Sequence, residues 1–202
     1  MNNVKSFSPC EGITVYDDAF NHQDRDELFH FCKVLPFELG WNDSLHHSEQ
    51  YLHSWIDETG WNDFINIENS KNPKKPEFLI EPHYNMLRVL NHHPIFSKID
   101  KSKITKSTVN LDTIADSHTK HTHPVENVIL YYANTKWEDG WGGETKFYDK
   151  HGKNIIYSSP YTPNRLIHFD GTIVHSFNPP SASANKYRFS ISTFYKKIDV
   201  IV

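Results

Sequence analysis

The sequence predicts a mainly β protein of the α+β class, in which a double-stranded β-helix (jelly roll) core follows N-terminal helices. Two observations predict this fold class. From residue 104 onward, short strand-like runs follow one another, with Gly, Pro and Asn between them. Before that point the chain mixes helix and strand signals. Many short strands separated by turn residues are typical of a sandwich or jelly roll rather than of alternating strands and helices.

The N-terminal part contains two predicted helices and one predicted loop. The first helix follows Asn21, a suitable N-cap, and ends before Pro36. Its apolar stripe consists of Leu28, Phe29, Cys32 and Leu35. Residues 61–82 are interrupted by Asn, Lys and prolines, which predicts a surface loop. Residues 84–99 predict a second helix that Pro94 kinks or splits.

Seven strands are predicted in the second half of the chain. They are residues 106–114, 126–134, 144–149, 153–159, 165–170, 172–177 and 187–195. The run at 126–134 is apolar almost throughout, as expected of a strand that is buried on both faces. We therefore expect a single domain over residues 1–202. Residues 1–103 would form a helical and strand support region, and residues 104–202 the jelly-roll core.

Composition excludes several classes of partner. A net charge of −4 gives no basic surface for nucleic-acid backbones, so no nucleic-acid partner is expected. No run approaches the roughly 18 apolar residues of a membrane span, and the first residues do not resemble a signal peptide. Two cysteines, Cys10 and Cys32, cannot build a disulfide framework, which favours a reducing, cytoplasmic compartment. We expect a monomer or a homodimer without a membrane partner.

Histidines are the unusual feature of the composition. The chain has 14 of them, and histidine is the commonest metal ligand. His121 and His123 are two residues apart, so on a strand they would face the same side and could chelate one ion. His175 is the best candidate for a third ligand, on a strand of its own after Gly171, which permits a sharp turn. Three protein ligands with open positions are typical of a catalytic metal site. A solvated, histidine-rich surface loop is the alternative interpretation.

Five segments follow one another around these histidines. They read HTH at 121–123, ILYYAN at 129–134, GGET at 142–145, NRLIHFDGTIVHSF at 164–177 and RFS at 188–190. In order and spacing they resemble the iron(II)/2-oxoglutarate-dependent oxygenases, in particular the prolyl-hydroxylase-like branch. The corresponding motifs of that family are HxD, YYxN, GGET, a distal His and an Arg.

The resemblance implies an oxidoreductase, with Fe(II) as cofactor and 2-oxoglutarate as co-substrate. The three histidines would be the metal ligands, with no catalytic residue beyond them. Arg188 would capture the 5-carboxylate of 2-oxoglutarate, for which a guanidinium is well suited. Ser190 and Tyr132 would contact the same carboxylate, and Asn110 would add a weaker polar contact. The implied reaction is a dioxygenase hydroxylation coupled to the conversion of 2-oxoglutarate to succinate. A peptide side chain, with proline first, is the expected substrate, and a small molecule is the alternative.

His123 departs from the family pattern, which has Asp or Glu at this position. A neutral imidazole in place of a carboxylate leaves the metal site one charge unit more positive. It also shifts the preference towards nitrogen-loving ions such as Zn(II) or Cu(II), so another divalent metal is an alternative to Fe(II).

Four interpretations follow from this departure. The protein could be a 2-oxoglutarate oxygenase with a three-His site, or a three-His dioxygenase that does not use 2-oxoglutarate. A second metal position, or a restored carboxylate, could involve His118 with Asp112, Asp116 or Glu126. Finally, the chain could be a metal-binding jelly-roll module without turnover. Retention of Arg188 and its neighbours favours the first interpretation, because a carboxylate clamp has no purpose without such a ligand.

Overall fold

The computed structural model of the protein describes residues 5–42, 47–116 and 119–197. The strands are β1 (Lys5–Cys10), β2 (Ile13–Asp17), β3 (Glu38–Asn42), β4 (His47–Asp57), β5 (Ile104–Asp112), β6 (Glu126–Tyr132), β7 (Thr145–Tyr148), β8 (Ile155–Ser159), β9 (Leu166–Asp170), β10 (His175–Phe177) and β11 (Arg188–Lys196). The helices are α1 (His22–Val34), α2 (Glu58–Asn69), α3 (Glu81–Leu90) and α4 (Pro94–Ser97), with a 3₁₀ turn at Lys101–Lys103.

The described strands form two antiparallel sheets. The major sheet has the order β1-β2-β9-β6-β11-β5-β4-β3, and the minor sheet has the order β10-β7-β8. Side chains of both sheets meet in one buried cluster that includes Val128, Phe147 and Phe169. The architecture is the mainly β jelly roll predicted from the sequence. None of the helices in the described part of the chain has the length and apolar character of a membrane span.

Strand β6 contributes side chains to a buried hydrophobic cluster on each face of the major sheet. Alternate residues of a strand point to opposite faces of the sheet. Ile129 and Tyr131 pack on the outer face against α1, α2 and α3. Val128 and Leu130 point instead towards the minor sheet. The strand is therefore buried on both faces, as its apolar sequence predicted.

Most of the predicted elements are present, and one prediction is partly wrong. All seven predicted strands occur, as β5 to β11. Asn21 caps α1, and its side-chain oxygen accepts a hydrogen bond from the Asp24 backbone amide at 3.0 Å. The second helix is divided before Pro94, as predicted. The loop predicted at 61–82 is wrong at both ends, because α2 continues to Asn69 and α3 begins at Glu81. Asp57 caps α2, while Trp61 and Phe64 bury one side of it.

Two buried histidines beneath the major sheet predict that the fold loses stability in acid. The Nε2 atom of His83 lies 2.9 Å from the Ser54 hydroxyl, and the Nδ1 atom of His93 accepts the Ile95 amide at 3.2 Å. Burial lowers the pKa of each from 6.5 to about 4. The stability that these two neutral histidines contribute is therefore fully present above pH 6.5 and is lost as the pH falls towards 4. Each should lower the free energy of unfolding by up to about 3 kcal/mol over that range.

This prediction can be checked by urea unfolding at pH 7.5 and pH 4.5. The His93→Asn variant keeps an N-cap acceptor but does not titrate, so its loss of stability in acid should be clearly smaller. The exposed His151 provides a matched control, because His151→Asn should leave the loss unchanged. If the wild type and His93→Asn lose the same free energy of unfolding between pH 7.5 and pH 4.5, His93 does not cause the loss of stability in acid.

Candidate active site

His121, His123 and His175 lie together at the open side of the jelly roll. One donor atom of each ring lies within 4.8 Å of the donor atoms of the other two. Metal–imidazole bonds of about 2.0–2.1 Å place two nitrogen ligands of one ion about 3–4 Å apart. Small rotations of the rings would therefore bring the three nitrogens to the spacing that a single ion needs. The donor set fits a divalent transition metal.

Hydrogen bonds to backbone carbonyls select the tautomer of two of these rings. The Nδ1 atom of His121 lies 3.0 Å from the Thr119 carbonyl oxygen. The Nδ1 atom of His175 lies 2.9 Å from the Ile173 carbonyl oxygen. Because a carbonyl only accepts, Nδ1 must carry the proton in both rings, which leaves the Nε2 lone pair for a metal. Burial, with the nearby imidazoles of His121 and His123, lowers the pKa of His175 well below its usual range.

Backbone contacts, rather than a continuous strand, position the HTH segment. His121 and His175 form an isolated antiparallel bridge, and each donates its amide to the other's carbonyl at 3.0 Å. The amide of His123 donates to the Gly171 carbonyl at 2.6 Å. The expectation that both histidines lie on one strand is therefore wrong, although they still reach the same site.

Gly171 is needed for close approach and not for a left-handed turn. A Cβ atom at this position would meet backbone oxygens: the Glu126 and His123 carbonyls would each lie 2.4 Å away. Its backbone is not in the positive-φ region, so the expected sharp turn is not the reason for glycine here. The missing side chain lets the HTH segment pack directly on the turn before β10.

A cavity of about 140 Å³ extends from the three histidines between the two sheets. Its walls include the apolar side chains Val128, Leu130, Phe169, Phe177 and Phe194. Its polar lining includes Asn110, Thr145, Arg188 and Ser190. Pockets for drug-sized ligands are about 300–1,000 Å³, so this cavity suits a compact molecule. One compact ligand could contact both the histidine cluster and Arg188.

Arg188 is held on three sides at the closed end of this cavity. Its Nε donates to the Gly143 carbonyl at 3.0 Å, and its Nη1 donates to Asp112 at 2.6 Å and to the Ser190 hydroxyl at 3.2 Å. The guanidinium also lies over the Phe177 ring, with 4.6 Å between Cζ and the ring centroid. Gly143 has φ +83°, and a Cβ there would lie 3.2 Å from the Arg188 side chain. The GGET motif therefore shapes the backbone that orients the arginine.

The other predicted co-substrate residues lie at different depths. Asn110 and Ser190 are opposite one another on β5 and β11, and both line the cavity. Tyr132 is fully buried, and its hydroxyl donates to Thr145 at 2.8 Å. Thr145 lines the cavity, whereas Tyr132 is not among the lining residues. Thr145 thus stands between the phenol and the cavity, a placement that the sequence did not predict.

The carboxylates proposed for a second metal position do not join the histidine cluster. Asp112 pairs with Arg188, and Glu126 accepts a hydrogen bond from the Thr105 hydroxyl at 2.5 Å. Asp116 accepts the backbone amide of Thr113. His118 lies outside the described residues. In the described part of the chain, none of these carboxylates joins the histidine cluster. None therefore takes the place of the acidic ligand that the HxD motif has at the position of His123.

Comparison with known proteins finds one protein family that resembles the second half of the chain. Residues 108–196 match the model of the 2OG-Fe(II) oxygenase superfamily. This part of the chain is similar to that superfamily. The match confirms, at the level of the family, the predicted Fe(II)- and 2-oxoglutarate-dependent oxygenase with its metal and co-substrate. A search of curated proteins finds no match.

Several solved structures share the fold at low sequence identity. A prolyl hydroxylase from Trichoplax adhaerens, in complex with a hypoxia inducible factor peptide fragment, is 16% identical with a TM-score of 0.63, covering 92% of this chain and 83% of that one. A prolyl-4-hydroxylase from Pseudomonas putida is 12% identical with a TM-score of 0.60, covering 93% of each chain. The non-heme alpha ketoglutarate dependent epimerase SnoN from nogalamycin biosynthesis is 11% identical with a TM-score of 0.56, covering 92% and 78%. The chain thus shares its jelly-roll fold with these proteins.

Proposed function

We propose that the protein is a non-haem iron, 2-oxoglutarate-dependent hydroxylase that works with a three-His metal site. The observation that carries the proposal is one cavity that joins the histidine cluster to a buried arginine. His121 and His175 would hold Fe(II) through their Nε2 atoms, and His123 would supply the third imidazole nitrogen. When bound, Fe(II) with 2-oxoglutarate supplies the oxygen chemistry that hydroxylates a C–H bond.

Residues of the cavity bind, orient and shield the co-substrate in this proposal. Arg188 and Ser190 receive its distal carboxylate at the closed end, and Asn110 contacts it from β5. Thr145 takes the contact expected of Tyr132, whose hydroxyl holds it in place. The aromatic walls exclude water around the metal, which protects the reaction from side products.

The primary substrate is proposed to be a peptide side chain, proline-like in its chemistry, with a small molecule as the alternative. A cavity of about 140 Å³ has room for a compact co-substrate, so the primary substrate would bind at its mouth beside the histidines. The fold shared with a prolyl hydroxylase that was solved with a peptide supports the first choice. The fold shared with SnoN supports the second. A cytoplasmic location is part of the proposal and is supported by the two free cysteines.

The experiment that tests this function combines metal analysis with turnover. The protein is loaded anaerobically with Fe(II), its metal content is measured, and succinate is followed after 2-oxoglutarate and oxygen are added. Stoichiometric iron with slow succinate formation, even without a primary substrate, is the expected result. Tightly bound zinc and no succinate would contradict the oxygenase and favour a metal-binding module.

Replacing His123 by aspartate tests whether the third imidazole is suited to turnover. The carboxylate would lower the charge of the metal site by one unit and provide the ligand that the family normally has. We expect His123→Asp to retain iron and to form succinate faster than the wild type in the absence of a primary substrate. His123→Ala is the control, since it removes the ligand and should lose iron. If His123→Asp binds iron but abolishes succinate formation, the imidazole itself is required.

A further inference from the structure

A carboxylate that the proposed function does not use lies behind the closed end of the cavity. Asp112 and Arg188 are direct partners across the β5–β11 ladder, so the register of the two strands fixes their pairing. Their side chains meet at 2.6 Å, and each residue is only 1% exposed. The arginine lines the cavity, whereas Asp112 lies behind it. Asp112 therefore acts on a ligand through Arg188.

The charges at this end of the cavity cancel. Burial raises the pKa of Asp112 to about 6 despite the attraction of Arg188, so the carboxyl is ionised at pH 7.5. The positive charge of Arg188 is then matched by one negative charge at hydrogen-bond distance. Asp116, in the segment after β5, is also buried and adds to the negative potential around Asp112. A ligand that reaches Arg188 thus meets a guanidinium whose charge is already neutralised.

A second carboxylate on this guanidinium would be attracted by Arg188 but repelled by Asp112. In a buried site, two carboxylates that share one arginine interact unfavourably, because little solvent screens them. A carboxamide avoids this repulsion, and its carbonyl oxygen still accepts a hydrogen bond from the guanidinium. The uncharged group also has a smaller cost of desolvation on entering the cavity.

We propose that Asp112 determines co-substrate specificity, by pairing with Arg188 so that 2-oxo acids with an uncharged, hydrogen-bonding distal end are accepted as readily as 2-oxoglutarate. The inference rests on the proposed function, because it concerns the co-substrate of the same site. The additional ligand expected in this cavity is a 2-oxo acid with a distal carboxamide. Asp112 is a positioning residue in this role, since it contacts the arginine and not the ligand.

The test compares two ligands that differ only at their distal end, 2-oxoglutarate and its 5-amide, 2-oxoglutaramate. Dissociation constants are measured by anaerobic titration of the Fe(II)-loaded protein at pH 7.5. In the wild type the two constants should agree within about threefold, since repulsion by Asp112 offsets the charged hydrogen bond that favours the acid. In Asp112→Asn, which keeps an acceptor for Arg188, 2-oxoglutarate should bind at least about tenfold more tightly than the amide.

His168→Gln is the control, because His168 lies in the jelly roll but does not line the cavity. It should leave both dissociation constants, and so their ratio, unchanged. If Asp112→Asn does not fold, Asp112→Ser also removes the charge and gives the same comparison. A wild type that prefers 2-oxoglutarate tenfold, or a ratio that the Asp112 variants leave unchanged, would overturn the inference. Iron-loaded protein that binds neither ligand would instead overturn the proposed function.

Discussion

Replacing His175 by alanine is expected to weaken Fe(II) binding by more than about 100-fold, since the loss of a mere partner of a metal ligand already costs about 10–100-fold. His175 is the buried member of the cluster, and its ring is oriented by the Ile173 carbonyl. The backbone bridge to His121 does not depend on the side chain, so the HTH segment should keep its place. The variant then retains two imidazoles where the wild type has three.

Iron content after anaerobic loading and desalting is the measurement that checks this expectation. His168→Gln is a suitable control, because His168 is another half-buried histidine of the jelly roll, hydrogen-bonded to the Tyr195 hydroxyl at 2.6 Å and outside the cluster. That control should bind iron as the wild type does. Stoichiometric iron in His175→Ala would remove His175 from the proposed metal site.

Strand pattern made the β half of the molecule predictable from sequence. Runs such as ENVILYY, short and rich in β-branched and aromatic residues, fit a strand that is buried on both faces, and β6 is such a strand. The order of the motifs also placed Arg188 and the three histidines around one site. Local signals were weaker in α2, where the prolines at 73 and 76 follow the helix rather than interrupt it.

Strand register was the information that the sequence could not supply. Asp112 faces Arg188 because β5 and β11 pair in one particular alignment, and a shift by one residue would turn Asp112 away. The requirement for glycine at position 171 likewise depends on how closely the HTH segment crosses β10, which is a property of the tertiary fold. The roles of Asp112 and Gly171 depend on neighbours that the tertiary fold brings together. No local sequence pattern predicts them.

Replacing Arg188 by methionine is expected to destabilise the fold by about 3–5 kcal/mol, because it leaves the buried Asp112 carboxylate without its arginine. Without Arg188, the pKa of Asp112 in the folded state should rise further. The loss of stability should therefore shrink as the pH falls and Asp112 becomes protonated in the folded variant. Chemical unfolding at pH 7.5 and pH 5.5 measures both effects. A variant as stable as the wild type at pH 7.5 would show that the pair contributes little.

The double variant Asp112→Asn/Arg188→Met separates stability from binding. Without a buried charge, it should recover most of the stability that Arg188→Met loses, because two neutral side chains of similar size replace the ion pair. It should nevertheless bind 2-oxoglutarate about 10- to 150-fold more weakly than Asp112→Asn, the range for one hydrogen bond to a charged group. Unfolding curves and anaerobic titrations of the Fe(II)-loaded variants give the two numbers. Equal affinity in the double variant and in Asp112→Asn would exclude Arg188 from the co-substrate site, whatever its part in the fold.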